Sequence, residues 1–168
     1  MRYTKQINED SFYNKKKIGD KGEYIVTKLL QDKGYDVINV ADKLEWQKAD
    51  VDLLVYKDNK LIKKIEVKTE NAGVYTNNFF VETKSNGKQG WIFYTEADYL
   101  YVVIPNTKVY VIYVDEFREW FKNIMHDCKI KKAATTGKNG EVLYYNWGRV
   151  IPFAVLDRLE FIYSIPLN

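Results

Sequence analysis

The chain has one cysteine and one histidine among its 168 residues. Cys128 has no second thiol in the sequence for a disulfide or a zinc ribbon, and a reducing compartment suits such a chain. His126 alone excludes metal sites that need two imidazoles. A glycine-rich phosphate loop is also missing, so we expect no nucleotide cofactor. The ligands left for a metal ion are the oxygens of carboxylates and carbonyls.

Long apolar runs are missing too. No stretch approaches the roughly 20 apolar residues of a membrane span. Residues 1–17 are polar and rich in lysine, unlike the apolar core of a secretory signal. We therefore expect a soluble, cytoplasmic protein that has no membrane partner.

The length and composition are typical of one folded domain. With 46% hydrophobic and 29% charged residues, a chain of 168 residues can bury a core without disulfides. We predict a single domain over residues 1–168. Its core is expected at about residues 18–125, and residues 126–168 are expected to add a loop, a strand and a short helix.

The net charge of +3 is too small to identify a nucleic-acid-binding protein by itself. The lysines are nevertheless clustered, since Lys15, Lys16 and Lys17 precede the first predicted helix and Lys84 and Lys88 flank a loop. Phosphate contact is one interpretation of Lys15 to Lys17 and of Lys88. A solvated helix entrance is the alternative.

The first half of the chain alternates between a helix and strands. Apolar residues recur at helical spacing over residues 18–33, and Gly34 offers a stop. Residues 35–40 read as a short strand and residues 41–49 as a polar connection. The runs 51–56 and 61–68 read as a β-hairpin.

The second half continues in the same way. The predicted elements are strands at residues 79–83, 99–104 and 108–114, a helix capped by Asp115, a mobile loop at 129–140, an edge strand at 142–145, a helix at 153–159 and a tail. This order predicts an α/β or α+β fold with a central mixed β-sheet flanked by helices.

The hairpin brings two carboxylates together. If its loop is Asp58-Asn59-Lys60, Tyr56 lies opposite Ile62, and counting inward places Asp52 opposite Glu66, with β carbons about 4.5–5.5 Å apart. Like charges at such positions destabilise a plain sheet, but a divalent cation with oxygen ligands at about 2.1 Å would bridge them. The sequence therefore predicts a metal site at this pair.

Strand alternation adds a cation to the carboxylates. Glu66 and Lys68 project from one face, while Val67 points to the other. Phosphodiester hydrolysis needs an activated water, a cation on the phosphate and positive charge for the transition state. The carboxylates, a metal ion and Lys68 would meet these needs, and the backbone carbonyl of Val67 could add a hard oxygen ligand.

The first helix contributes a third carboxylate. Glu23 lies in line with Val26 and Leu30, on or beside the stripe that packs inward. A carboxylate at that place needs a partner, because burying it alone is costly. A metal site or its bound water is one such partner.

These residues resemble the PD-(D/E)XK nuclease superfamily, which includes restriction enzymes, Holliday junction resolvases and phage recombination nucleases. The match runs from the helix with Glu23 through Ala49-Asp-Val-Asp52-Leu-Leu-Val to Ile65-Glu66-Val-Lys68-Thr. Val51 stands where the family name has proline. The stretch from Asn77 to Ser85 is similar to a phage-type subgroup.

The resemblance implies a restriction endonuclease-like fold and a DNA-cutting activity. Asp52 and Glu66 would ligate Mg²⁺ or Mn²⁺, Lys68 would position or polarise the water, and Glu23 would orient the hydration shell. Asp50 competes with Asp52 for the metal, and we favour Asp52 because it directly precedes the apolar run of the strand.

The phage-type similarity adds Glu82 and Lys84 as accessory residues near the site. The expected substrate is DNA, with branched DNA or a Holliday junction among the candidates, and a homodimer would suit the cutting of two strands. The competing hypothesis is a non-catalytic DNA-binding or regulatory protein that keeps the nuclease fold.

Overall fold

The computed structural model describes residues 12–71 and 73–168. The elements in chain order are α1 (Phe12–Gln31), β1 (Asp36–Asn39), α2 (Leu44–Ala49), β2 (Leu53–Lys57), β3 (Lys60–Thr69), α3 (Gly73–Thr76), β4 (Asn78–Ser85), β5 (Lys88–Gln89), a 3-10 turn (Trp91–Phe93), β6 (Tyr99–Ile104), β7 (Lys108–Tyr113), α4 (Val114–Ile124), β8 (Lys129–Thr136), β9 (Val142–Pro152), α5 (Phe153–Leu156) and β10 (Ile162–Pro166). No helix within these ranges is long and apolar enough to cross a membrane.

Six strands form the main sheet, in the order β1-β2-β3-β6-β7-β10. The β3–β6 pair is parallel and the others are antiparallel, so the sheet is mixed. Helix α1 packs on one face, where Val26 and Leu30 join a buried cluster with Ile65 and Val67. The predicted fold, an α+β arrangement with a central mixed sheet flanked by helices, is confirmed.

The other face of the main sheet is covered by α4 and by a second sheet. This second sheet is antiparallel, in the order β5-β4-β9-β8. Phe79 of β4, Ile151 of β9 and Phe117 of α4 are buried in one cluster with Leu100 of the main sheet. The helix and the second sheet therefore share one core with the main sheet.

The predicted mobile loop at residues 129–140 is wrong over its first part, which forms β8. This strand lies at the edge of the second sheet, and its Lys129, Lys131 and Lys132 are exposed. Exposed lysines are typical of edge strands, where they discourage pairing with other chains. They also remove the apolar alternation by which a strand is recognised in a sequence.

The predictions for the C-terminal region also need correction. The edge strand expected at residues 142–145 is the start of the eleven-residue β9, which lies between β4 and β8. The helix expected at 153–159 ends at Leu156. The expected tail contains β10, which pairs with β7 and forms an outer strand of the main sheet.

The helices differ from the prediction in three places. Helix α1 begins at Phe12, so Lys15 to Lys17 lie within it. The polar connection contains α2, whose Trp46 packs against the core. Helix α4 is preceded by Tyr113 as N-cap, and Asp115 lies in its first turn.

The β2–β3 hairpin turns on two residues rather than three. Asp58 and Asn59 have φ angles of 50° and 61°, the left-handed conformation that a two-residue hairpin turn requires and that Asp and Asn tolerate. Tyr56 therefore pairs with Leu61 rather than Ile62, and a bulge follows between Val55 and Tyr56. Beyond the bulge the inner register is the expected one.

Gly22 allows α1 to lie close to β3. A β carbon at this position would overlap Thr69 Oγ1 and lie 3.3 Å from Thr69 Cβ. We expect Gly22→Ala to lower the free energy of unfolding by about 1–3 kcal/mol, as overpacking does, in urea denaturation. The matched control is Gly19→Ala in the same helix, where the added carbon meets nothing within 4 Å.

Thr69 Oγ1 is buried and has no hydrogen-bond partner among the described residues. Thr69→Ala should therefore restore most of the stability lost in Gly22→Ala, because it removes the overlapping atom. Equal stability of the single and double variants would show that Thr69 does not limit the approach of α1.

Candidate active site

The carboxyl groups of Asp52 and Glu66 lie close together, just before β2 and within β3. Leu53 pairs with Ile65, and the backbone N–H of Asp52 also donates to the carbonyl of Ile65 at 2.9 Å, which holds Asp52 beside β3 at the end of the paired region. Asp52 Oδ2 accepts a hydrogen bond from the N–H of Val67 at 2.8 Å. Because this bond fixes the carboxylate beside β3, the strand geometry itself assembles the acidic pair.

Lys68 lies on the same face of β3 as Glu66. Its Nζ donates to Glu66 Oε1, and it stands 5.1 Å from the centre of the Trp91 ring. Glu66 is only 3% exposed, whereas 30% of the Lys68 side chain is accessible. The ammonium is therefore held at the boundary between the buried carboxylates and the surface.

Asp50 brings another carboxylate to this cluster. It ends α2 in the left-handed conformation, with φ 53° and ψ 57°, and the hydroxyl of Thr95 donates to its carbonyl at 2.8 Å. Asp50 Oδ2 is buried and has no hydrogen-bond partner among the described residues. Such an atom has lost its hydration without compensation, which makes it a natural ligand for a cation.

Glu23 lies on α1, close enough to the cluster to feel the charge of Asp52. Its Oε2 accepts a hydrogen bond from Asn39 Nδ2 at 2.7 Å. Burial raises the pKa of Glu23 to about 7, against the lowering effect of Asn39, and the negative charge of Asp52 adds to the rise. Glu23 is thus electrostatically linked to Asp52, while its direct partner is Asn39, a residue that sequence reasoning missed.

The electrostatics of the cluster favour the binding of positive charge. Burial raises the pKa of Asp52, and it raises the pKa of Glu66 well above its usual value. Burial by itself lowers the pKa of Lys68, but the carboxylates of Glu66, Asp50 and Asp52 raise it more. Asp50, Asp52 and Glu66 therefore all act on the ammonium group of Lys68.

The donor atoms fit a hard divalent cation. Mg²⁺ takes one or two protein carboxylates and keeps several waters, and the pair of Asp52 and Glu66 can meet that demand. Within residues 12–71 and 73–168, no group of three or more Asp, Glu, His or Cys side chains is arranged so that it could hold a metal ion.

A groove of about 610 Å³ opens beside Lys68. It lies between α1 around Gly19, the end of β3 and the second sheet, where Phe80 and Asn146 form part of the wall. Lys68 belongs both to the acidic cluster and to this groove. A substrate in the groove would thus meet the reactive groups at one end.

Glu70 also lines the groove and was missed by the sequence analysis. It continues the alternation of Glu66 and Lys68 along β3, which is the signal that could have revealed it. Burial raises the pKa of Glu70 to about 7, although a backbone hydrogen bond from Phe80 and the charges of Lys131 and Lys68 lower it. Glu70 therefore holds its proton more tightly than an exposed glutamate does.

Glu70 should make stability depend on pH. Because its pKa is higher in the folded state than its ordinary 4.5, the folded chain binds the proton more tightly, and this stabilising effect is lost as pH rises from about 4.5 to about 7. We expect Glu70→Gln to raise the free energy of unfolding more at pH 8 than at pH 5, in urea denaturation. The exposed Glu96→Gln is the control, and an equal effect of Glu70→Gln at both pH values would contradict the assignment.

The other predicted site residues lie farther out. Glu82 lines the groove, whereas Lys84 follows a bulge in β4 and is exposed opposite Trp147. Lys88 is exposed in β5, and Lys16 and Lys17 are exposed on α1, where Lys16 lies 3.8 Å from Asp42. The side chain of Lys15 lies outside the described residues. Contact of these lysines with DNA stays a prediction.

Comparison with known proteins yields one structural similarity. No protein-family model matches the chain, and no curated protein matches it. Among solved structures, a bacterial homing endonuclease is similar over 62% of this chain and 72% of its own, with 19% sequence identity and a TM-score of 0.46. At this level of similarity, the function of the chain has to be argued from its own site residues.

Proposed function

We propose that this protein is a divalent-metal-dependent endonuclease that hydrolyses phosphodiester bonds in DNA, of the PD-(D/E)XK type. The observation that carries the proposal is the convergence of Asp52, Glu66 and Lys68 at one end of an open groove. Two carboxylates with an adjacent ammonium suit phosphoryl chemistry. His126, the sole histidine, is exposed, so the site does not depend on imidazole.

Each site residue has a separate role in the proposal. Asp52, Glu66 and the carbonyl of Val67 would hold Mg²⁺ or Mn²⁺, with Asp50 as an accessory ligand through its unpartnered oxygen. The ion would supply positive charge to the phosphate and lower the pKa of an attacking water. Glu23 would orient water around this site from the α1 face.

Lys68 acts through its charge. Because the surrounding carboxylates raise its pKa, it keeps its proton at neutral pH and is a poor general base. It therefore donates hydrogen bonds to the water or to the phosphate oxygens, where negative charge grows in the transition state.

We also propose a substrate class, an oligomeric state and a cellular location for this protein. Branched DNA and a Holliday junction are candidate substrates, and a homodimer would place two such sites on two strands. We further propose one domain, a cytoplasmic location and no nucleotide cofactor.

A cleavage panel tests this function. The full chain is incubated with supercoiled plasmid, linear duplex, single strand, flap and four-way junction, each with Mg²⁺, Mn²⁺ or EDTA. Cutting that requires the metal ion is the expected result. Retardation of DNA on a gel without cutting in either metal ion would contradict the nuclease and would indicate a non-catalytic DNA-binding protein.

A further inference from the structure

The groove beside Lys68 has the size of a pocket for a small organic ligand. Its volume of about 610 Å³ falls within the roughly 300–1,000 Å³ typical of such pockets. Because Lys68 forms part of the wall, whatever lies in the groove is adjacent to the reactive end of the site. If the site cuts DNA, the groove lies where the part of the substrate next to the scissile phosphate would sit.

The lining of the groove suits a base better than a phosphate. Two carboxylates, Glu70 and Glu82, and two amides, Asn71 and Asn146, contribute to the wall, and Lys68 is the single lysine among the described lining residues. Carboxylates repel the phosphate backbone, but they accept hydrogen bonds from the amino groups of bases. Charge thus directs the phosphate to Lys68 and the base into the groove.

Aromatic rings complete the wall. Tyr75 is 87% exposed at the groove, which leaves its ring open to stacking. Phe80 is held in place against Gly148, where a β carbon would overlap its ring. Lys131 lies 5.8 Å from the centre of the Phe80 ring and places a positive charge near the bound nucleotide.

We propose that the groove binds one unpaired nucleobase of the strand that is cut, with preference for bases that carry an exocyclic amino group. This inference rests on the proposed nuclease function and narrows its substrate to DNA with an unpaired nucleotide beside the scissile phosphate. A base inside an intact duplex cannot enter such a pocket without leaving its stack.

Binding to short single strands tests the inference apart from cleavage. Fluorescence anisotropy, with Ca²⁺ in place of Mg²⁺, compares 12-nucleotide strands of oligo(dC), oligo(dT) and an abasic strand of the same charge. We expect oligo(dC) to bind most tightly, because cytosine offers an amino group and thymine does not. Equal binding of the abasic strand and oligo(dC) would overturn the proposal.

Tyr75→Ala is the diagnostic variant, because an exposed side chain can be removed without unfolding the protein. It should weaken binding of oligo(dC) about tenfold, as expected when one stacked base loses its aromatic partner, and leave binding of the abasic strand unchanged. The matched control is Tyr163→Ala, which removes a 47% exposed tyrosine from β10. Similar oligo(dC) binding by the two variants would refute the pocket.

The two proposals fail in different ways. If the protein cuts DNA in Mg²⁺ but binds oligo(dC) and the abasic strand equally well, the nuclease proposal stands and the base pocket is wrong. Base-dependent binding without cutting in Mg²⁺ or Mn²⁺ would support the pocket and contradict the nuclease.

Discussion

Lys68→Met is expected to slow metal-dependent DNA cleavage by about 100- to 1,000-fold, the usual effect of removing one donor that stabilises a charged transition state. Methionine keeps much of the length of the side chain and removes its charge. Glu66 and Asp52 remain, so the variant should still bind the metal ion. The measurement is the single-turnover rate constant for the best substrate of the cleavage panel.

Lys64→Met is the matched control for this experiment. Lys64 lies in the same strand and, by alternation, on the same face, four residues before Lys68. The control should cut DNA at the wild-type rate. If Lys68→Met also cuts at that rate, the ammonium has no part in the reaction, and the proposed role of Lys68 is wrong.

Glu66→Gln is expected to abolish cleavage and, at the same time, to stabilise the metal-free protein. Burial raises the pKa of Glu66 well above its usual value, so ionisation of this carboxyl group costs the folded state more than the unfolded state, and stability falls as pH rises. Glutamine mimics the protonated form. We expect a gain of about 1–2 kcal/mol in the free energy of unfolding at pH 8, and a smaller gain at pH 5.

The pKa of Lys68 should stay raised in this variant, because the charges of Asp50 and Asp52 also raise it. The variant should no longer gain thermal stability from added Mg²⁺, whereas the wild type should. Glu45→Gln, an exposed change on α2, is the control. A Glu66→Gln protein that gains as much stability from Mg²⁺ as the wild type would show that Glu66 does not ligate the ion.

The acidic pair could be predicted from the sequence because its geometry is local. Asp52 and Glu66 belong to consecutive strands joined by a tight turn, so counting residues from the turn fixes their register. The two-residue turn and the bulge next to it were missed, but their shifts cancel over Val55 to Leu53, which leaves Asp52 close to Glu66. Glu23 was found by helical periodicity, whereas its partner Asn39 needed the packing of α1 against β1.

The second sheet could not be predicted because its pairings are distant in the chain. Phe79 of β4 pairs with Ile151 of β9, and no local pattern specifies such a partner. The exposed lysines of β8 hid its strand character, and α2 depends on the packing of Trp46. The groove was missed for the same reason, since Gly19, Phe80 and Asn146 meet only in the folded chain.

We propose that the carboxylates around Lys68 bind a divalent cation. Isothermal titration calorimetry with Mn²⁺ tests it most directly, with wild-type protein and Asp52→Asn side by side. Asparagine keeps an oxygen that can accept the hydrogen bond from Val67, so the strand geometry should survive. We expect saturable binding of Mn²⁺ by the wild type and its loss in the variant. Wild-type protein that takes up no Mn²⁺ would show that these carboxylates do not bind a divalent cation.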